Sequence, residues 1–315
     1  MPSKRRRDQY DPRVQNTIHT WDGFALDRYL LGYDRELGKD FSHRLDWAFD
    51  TVSVLSRYFA IEVHAVAEME NHFHHVLTNR PDIPKTWKPA EVARRWLVIT
   101  KMKITGSTLD LQPTEERVAQ EVYRGQRRIA KLRKRLADPS WFMGTLKEIL
   151  SRKMNEERRG EGTNYQMRFQ CEVSKGDRQS QTMMKYVDLN PVRAGMVEKI
   201  EDSERSSVGL RIRAALAERQ GCPYPPTDYR SAQWLTRIAK MEHPQRPLDD
   251  PMYMTSATGM RASDRSLLPC DEWTYYESLD QLARVRRPDK RGYTPAHLPP
   301  VLVRIGVRPP DSGPL

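Results

Sequence analysis

Residues 61–77 read IEVHAVAEMENHFHHVL. The two halves of this stretch are short and rich in β-branched and aromatic residues, and a polar pair at residues 70–71 joins them. This pattern predicts a β-hairpin. Side chains alternate across a strand, so His72 and His74 should share one face while Phe73 points to the other. Two imidazoles on one stiff strand supply most of the ligands of a divalent-metal site.

An isolated His-x-His pair is usually a surface feature, but a second segment, MKYVDLNPVRAGMV at residues 184–197, strengthens the metal hypothesis. Pro191 disfavours helical geometry at the residue before it, so a helix through Tyr186 should end about Asn190. Tyr186 and Asn190 are four residues apart and therefore share one helical face. A hydroxyl nucleophile beside an amide ligand is what metal-assisted phosphodiester cleavage needs.

The two motifs in this order resemble those of the HUH single-strand DNA transposases with one catalytic tyrosine. That family includes small insertion-sequence transposases and relatives associated with repetitive extragenic palindromes (REP). The resemblance covers residues 14–215, and the runs DPSWFM at 138–143 and RFQ at 168–170 are similar to runs of the long-chain branch. The KRG run at 290–292, followed by LPP at 298–300, is a weaker similarity.

The resemblance implies roles for individual residues. His72 and His74 correspond to the family's metal ligands, and Tyr186 corresponds to its nucleophile. Asn190 stands where insertion-sequence enzymes often carry glutamine, which supplies a third ligand; asparagine is one methylene shorter. His75 replaces an aliphatic residue, and we expect it to be a core histidine bonded to a backbone carbonyl.

The activity implied is that of a metal-dependent tyrosine transposase, which nicks and joins single-stranded or hairpin DNA. Attack by Tyr186 would leave a 5′-phosphotyrosine and a free 3′-hydroxyl. A free tyrosine has a pKa of about 10, so a tyrosine nucleophile needs help at neutral pH. Mg²⁺ or Mn²⁺ held by His72, His74 and Asn190 would provide it by polarising the scissile phosphate.

Two other functions remain open from the sequence. Residues 165–171 depart from the family pattern, and so does Asn190, which allows a DNA-binding protein that keeps the fold without cleaving. A metal-dependent phosphodiesterase that uses water, with Tyr186 in a structural role, is the other alternative. The phenol of Tyr165 is a second candidate nucleophile.

The charge favours a polyanionic partner. The chain of 315 residues has 53 Lys and Arg against 42 Asp and Glu, a formal net charge of +11, and such a field attracts nucleic acid. Residues 4–7 form a basic arm, and residues 117–135 hold eight cations against one acid. That second cluster is either a solvated helix face or a phosphate-binding surface. The candidate DNA contacts are Arg127, Arg128, Lys131, Lys134 and Arg193.

The cellular context is read from what the sequence lacks. Cys171, Cys222 and Cys270 have no paired spacing, so neither a disulfide framework nor a zinc cluster follows. No apolar run is long enough to cross a bilayer. We therefore expect a cytoplasmic protein without membrane association. The sequence does not choose between a monomer and a homodimer.

The predicted fold is α+β, a ferredoxin-like antiparallel sheet with helices mainly on one face and the metal site on the other. A basic arm (1–13) precedes the catalytic domain (14–200), which carries a helical insertion at about 106–160. Residues 201–315 are predicted to be an accessory helical tail with Pro-rich linkers. The first and last strands are predicted at residues 14–19 and 165–173.

Overall fold

The computed structural model describes residues 8–166, 168–238, 256, 258–268 and 270–307. The basic run at 4–7 lies outside these residues. The strands are β1 Thr17–Gly23, β2 Tyr33–Asp34, β3 Lys39–Asp40, β4 Ile61–Glu68, β5 His72–Asn79 and β6 Gln170–Val173. The helices are α1 Arg44–Tyr58, α2 Ile83–Thr86, α3 Pro89–Thr105, α4 Glu115–Tyr123, α5 Gln126–Leu136, α6 Pro139–Glu157, α7 Asp177–Asp188, α8 Asn190–Arg193, α9 Ser207–Arg219, α10 Glu272–Arg284 and α11 Val301–Arg304.

Within the described residues, β1, β4, β5 and β6 form an antiparallel sheet in the spatial order β4-β5-β1-β6. Helix α1 connects β1 to β4, a hairpin connects β4 to β5, and a helical segment connects β5 to β6. This is the β-α-β-β-α-β connection of ferredoxin-like folds. The prediction of an α+β fold with such a sheet is confirmed.

The hairpin forms where the sequence predicted it. Glu68 pairs with Phe73 across β4 and β5, and the amide of Met69 donates to the carbonyl of His72 at 2.8 Å to close the turn. Phe73 and Leu77 pack into a core with α1, α3, α5 and α6. Val76 points to the opposite face, because successive side chains alternate across the strand.

That opposite face also carries helices. Met183 and Val187 of α7 pack with Val76 of β5, and Tyr275 and Leu279 of α10 complete this second core. The predicted layer of helices therefore covers one face, and the structure adds a further layer, built by α7, α9 and α10, over part of the other. Within the described residues, no helix is long and apolar enough to cross a membrane.

The predicted limits of two strands differ from the observed ones. β1 begins three residues later than predicted, because Asn16 closes a turn by donating from Nδ2 to the carbonyls of Asp11 and Val14. β6 begins at Gln170 rather than near residue 165. Tyr165 makes only an isolated bridge to Phe24, and its ring packs against that of Phe24 in the first core, tilted by 36°.

The tail contributes to the sheet edge. The amide of Thr236 donates to the carbonyl of Val63 at 2.9 Å, and the amide of Glu68 donates to the carbonyl of Arg205 at 2.9 Å. Both contacts engage β4, the strand at the edge of the sheet. An edge strand with unpaired backbone groups is a template for aggregation. Residues 205–236 therefore complete the domain by covering this edge.

His64 of β4 lies fully buried between β5 and the tail. Its Nδ1 is 2.8 Å from Thr236 Oγ1, and its Nε2 is 2.7 Å from Thr78 Oγ1. Burial lowers the pKa of His64 to about 4, more than the nearby Glu62 raises it. The imidazole is therefore neutral at neutral pH, and a hydroxyl lies beside each ring nitrogen.

We predict that His64 makes the fold sensitive to acid. An unfolded histidine has a pKa of about 6.5, so below that pH the unfolded chain binds the extra proton. The contribution of His64 is present above pH 6.5 and is lost as pH falls towards about 4, a loss of about 3 kcal/mol. NMR titration of the folded protein should show this imidazole still neutral at pH 5.5. A His64 that titrates near its ordinary value would contradict the prediction.

Candidate active site

His72 and His74 lie side by side on one face of β5. Their ring centroids are 5.0 Å apart; His74 is buried and His72 is half-buried. Asn71 Oδ1 is 2.7 Å from His72 Nδ1. A carboxamide oxygen can only accept, so this contact assigns the proton to Nδ1 and leaves a lone pair on Nε2 of His72. A metal ligand needs such a lone pair.

His19 joins this pair, and the sequence analysis did not identify it. β1 runs antiparallel to β5, with Trp21 opposite His74 and His19 opposite Val76. This register brings His19 Nε2 within 3.0 Å of His74 Nδ1. The residue is one polar position in a short strand, and its neighbour in the fold is 55 residues away, so no local pattern marks it.

Burial keeps these imidazoles uncharged. It lowers the pKa of His19 to about 4, with a smaller effect of His75 in the same direction. The pKa of His74 is well below its usual 6.5, mainly through burial and then through its neighbour His72, and burial lowers the pKa of His72 as well. At neutral pH the three rings are therefore available as neutral donors or ligands.

Tyr186 of α7 contacts the imidazoles edge-on. Its ring centroid is 5.7 Å from that of His74, at an interplanar angle of 87°, and 5.7 Å from that of His19. The side chain is 42% exposed, and its hydroxyl has no hydrogen-bond partner among the described residues. The phenol therefore lies beside the histidines and is still open to a ligand from solvent.

Asn190 lies one helical turn after Tyr186. The helix α7 ends at Asp188, two residues before the predicted end. Pro191 lies in the first turn of α8, where a backbone N–H has no acceptor within the helix, so the missing N–H of proline costs nothing. Asn190 is 8% exposed, and its Nδ2 has no hydrogen-bond partner among the described residues. A buried carboxamide with an unused end can satisfy a ligand, and rotation about χ2 exchanges its nitrogen and oxygen.

These observations test the predicted metal site. The described residues contain no group of three or more His, Cys, Asp or Glu that could hold a metal ion. A site at this position would therefore use His72 and His74 together with a neutral amide oxygen. Two neutral imidazoles and a carboxamide oxygen are donors whose chemistry fits a divalent cation.

The buried carboxylate of Asp188 holds α7 in place through hydrogen bonds. Its Oδ1 accepts hydrogen bonds from the hydroxyl of Ser207 and, at 2.9 Å, from the amide of Val208. Its Oδ2 accepts from the hydroxyl of Tyr275 at 2.7 Å. Burial raises the pKa of Asp188, against the opposing effects of Arg211 and these hydrogen bonds. The carboxylate thus joins the helix of Tyr186 to the first turn of α9 and to α10.

Two other residues of the sequence analysis lie on the opposite face of the sheet. His75 is fully buried, and its Nε2 is 2.7 Å from the carboxylate of Glu68, so its partner is a side chain rather than the expected backbone carbonyl. Tyr165 packs edge-on against Phe73 with ring centroids 6.0 Å apart. The sheet separates both from Tyr186, which removes the geometric basis for Tyr165 as a second nucleophile.

The predicted DNA-contacting cations are in different environments. Arg193 donates to the carbonyls of Leu282 and Val285 at 2.5 and 2.6 Å, so its guanidinium holds the end of α10. Arg128 forms an ion pair with Glu121. The remaining three are exposed on α5: Arg127, Lys131 and Lys134. Since α5 packs into the core behind Phe73, its cations lie across the sheet from Tyr186.

No protein-family model matches the chain, and no curated protein matches it. A solved structure of a REP-associated tyrosine transposase bound to a REP hairpin is similar to this chain at 14% sequence identity and a TM-score of 0.38. The match covers 78% of this chain and 98% of that one. A likeness at this level does not establish a family, so the function is argued from the site.

We predict that Tyr275→Phe destabilises the fold through Asp188. The change removes one donor to a buried carboxylate and almost no volume, which should lower the free energy of unfolding by about 1–3 kcal/mol. Urea denaturation measures this difference. Tyr293→Phe is the control, because Tyr293 is 38% exposed and its hydroxyl has no hydrogen bond among the described residues. Equal stability of the two variants would show that the Tyr275 contact is dispensable.

Proposed function

We propose that this protein is a single-stranded DNA endonuclease and strand transferase that uses Tyr186 as its nucleophile. The observation that carries the proposal is the position of this phenol. It is half-exposed, packs edge-on at 5.7 Å against His19 and His74, and lies one turn before a buried amide that has no partner among the described residues. A nucleophile and potential metal ligands thus lie together on one face of the sheet.

The proposed reaction is a transesterification. The hydroxyl oxygen of Tyr186 attacks the phosphorus of one phosphodiester, loses its proton to solvent and forms a bond to the phosphorus. The bond from phosphorus to the 3′-oxygen breaks, and that oxygen takes up a proton to become a 3′-hydroxyl. One phosphodiester replaces another, so a nucleotide cofactor is not required. Attack by a 3′-hydroxyl on the 5′-phosphotyrosine reverses the reaction and joins strands.

The metal part of the proposal assigns Mg²⁺ or Mn²⁺ to His72, His74 and Asn190. Such an ion, when bound, would polarise the scissile phosphate and stabilise the charge that develops on it. The protein's own part is to hold neutral imidazoles in place. If His74 donates from Nδ1 to His19, its Nε2 keeps the lone pair that a ligand needs. His19 is thus a positioning residue for His74.

Single-stranded DNA, or the unpaired foot of a hairpin, suits this site better than duplex. Tyr186 sits on a helix that packs against the sheet beside the imidazoles, so one phosphate must come close to the phenol between these elements. A flexible single strand can do this, whereas a stiff duplex cannot. The net charge of +11 favours binding of any nucleic acid backbone.

We predict that Tyr186→Phe abolishes a covalent protein–DNA adduct, since it deletes only the attacking oxygen. The assay is a denaturing gel with labelled single-stranded oligonucleotides from sequence flanking the gene, in the presence of Mn²⁺. Tyr165→Phe is the matched control, because it makes the same change on the other face of the sheet. Its adduct should form as in the parent protein. An adduct that survives Tyr186→Phe would assign the nucleophile elsewhere.

The same gel separates the other two functions. Hydrolysis of the oligonucleotide without an adduct would favour a phosphodiesterase that uses water. Binding without cleavage under all metal conditions would favour a DNA-binding protein that keeps the fold. The transposase proposal requires the adduct.

We predict that His72→Ala and His74→Ala each weaken Mn²⁺ binding and lower cleavage by orders of magnitude, because each removes a ligand. Isothermal titration with Mn²⁺ measures the affinity directly, without DNA. His75→Ala is the control: His75 bonds Glu68 on the opposite face, so this change should cost stability while leaving the Mn²⁺ affinity of the folded protein unchanged. Equal loss of affinity at all three positions would place the metal away from this face.

A further inference from the structure

The segment 285–293, which reads VRRPDKRGY, follows α10 and packs beside the end of the helical stretch that carries Tyr186. We call it the basic loop. It holds four Arg and Lys against one acidic residue, and its charged side chains are exposed or half-exposed. Its sequence lies about 100 residues after Tyr186, so only the fold brings the two together.

Arg193 and Gly292 fix the basic loop to α8. Arg193 donates to the carbonyls of Leu282 and Val285, where α10 passes into the loop. At the other end, the amide of Gly292 donates to the carbonyl of Arg193 at 3.2 Å. One residue of α8 thus holds both ends. Since Arg193 follows Tyr186 by seven residues, it lies roughly 10 Å further along the nearly continuous helix.

The contact at Gly292 is between backbones. A Cβ built on Gly292 would lie 2.0 Å from the carbonyl oxygen of Val192 and 2.7 Å from the Cα of Gly195. A side chain at position 292 would therefore force the basic loop away from α8. Glycine permits the close approach that sets the position of the loop.

The four cations of the basic loop differ in the partners that they contact. Arg287 pairs with Asp289 at 3.0 Å, and the guanidinium of Arg286 lies 5.4 Å from the ring of Tyr293. The side chains of Lys290 and Arg291 have no hydrogen bond or ion pair among the described residues. The charge of Lys290 adds to the larger effect of Arg287 in lowering the pKa of Asp289, but the carboxylate of Asp289 is bonded to Arg287.

The basic loop lies against the end of the helical stretch, since a Cβ built on Gly195 would be 3.6 Å from the Cβ of Arg291. Burial is the main reason that the pKa of His74 is lowered, and the positive charge of Lys290 adds to it. The other surroundings also suit an anion. The guanidinium of Arg193 covers carbonyls at the C-terminus of α10, where the helix dipole would otherwise repel negative charge.

We propose that the basic loop binds the phosphodiester backbone of the DNA strand next to the scissile phosphate, with Lys290 and Arg291 as the contacts. This inference rests on the proposed function, because it takes Tyr186 to mark the scissile phosphate. The partner is recognised by charge alone, so the loop positions the strand and does not read its bases. It makes the C-terminal part of the chain a component of the active site.

The test compares charge-removing double variants in a Tyr186→Phe background, where cleavage does not disturb binding. Fluorescence anisotropy gives the affinity for a labelled single-stranded oligonucleotide at several salt concentrations. Lys290→Gln with Arg291→Gln should weaken binding several-fold and reduce the salt slope by about 1.4, since each phosphate contact on a single strand contributes about 0.7. Lys88→Gln with Arg219→Gln removes the same charge from exposed positions elsewhere and should leave the slope unchanged.

A third double variant, Arg127→Gln with Lys131→Gln, removes two exposed cations from α5. A reduced slope for this pair and an unchanged slope for the loop pair would place the DNA along α5 and overturn the proposal. If the salt slope fell equally for the loop pair and for the Lys88 and Arg219 control, the effect would come from net charge alone. That result would also overturn the proposal.

Neutral methylphosphonates locate the contacted phosphate. Each oligonucleotide carries one neutral linkage, at a different position in each. The loss of binding affinity caused by Lys290→Gln should disappear when the linkage replaces the contacted phosphate and should remain at every other position. The contacted phosphate should lie within a few nucleotides of the bond that the parent protein cleaves. A cost that persists at every position would show that Lys290 contacts no particular phosphate.

The two proposals fail separately. If the parent protein forms the adduct but the loop pair keeps its salt slope, the loop inference is wrong and the tyrosine chemistry stands. If no adduct forms while the loop pair still loses one localised phosphate contact, the loop binds DNA and the transferase proposal is wrong. Gly292→Ala adds an independent check: it should weaken DNA binding with Lys290 and Arg291 both present, in a variant whose circular dichroism spectrum is unchanged.

Discussion

The buried carboxylate of Asp188 is the interaction on which the site depends. It lies between Tyr186 and Asn190 in sequence, on the side of the helix that faces away from the imidazoles. The donors to it, Ser207, Val208 and Tyr275, come from segments that follow α7 in the chain. Burying a carboxylate is costly unless hydrogen bonds satisfy it, so these donors and the position of α7 stabilise each other. A change in α9 or α10 would therefore move the tyrosine.

The sheet imposes the second constraint. Pairing of β1 with β5 puts His19 against His74, and the hairpin puts Asn71 against His72. The Asn71 contact favours the tautomer of His72 in which Nε2 is unprotonated, and His74 has the same tautomer when its Nδ1 donates to His19. Burial acts in the same direction, because it disfavours the charged form of each ring. The fold itself therefore holds these imidazoles in the neutral form.

The sequence predicts the parts of this structure that depend on neighbouring residues. The hairpin, the facing of His72 and His74, and the shared helical face of Tyr186 and Asn190 follow from periods of two and of about 3.6 residues. The role of His19 does not, because it depends on which strands pair. The covering of the β4 edge by residues 205–236 does not either, since those contacts join segments more than 130 residues apart. From the local sequence pattern, the tail is predicted to be an accessory element. In the structure, residues of the tail pack into both hydrophobic cores.

The sequence does not predict which positively charged side chains are paired and which are free to bind a ligand. In the sequence, Arg193 and Lys290 are simply two positive charges. In the structure they differ, because the side chain of Arg193 donates to backbone carbonyls and, in the described part of the chain, that of Lys290 does not. Arg193 donates to Leu282 and Val285, so its charge serves the backbone. The side chain of Lys290 has no such partner among the described residues, and its ammonium is therefore available to a phosphate. Because Arg193 holds the loop that carries Lys290, replacing Arg193 should weaken DNA binding through the loop. The same loss would follow from a direct contact, so a mutation at Arg193 alone cannot assign its role, whereas the phosphate-by-phosphate comparison at Lys290 can.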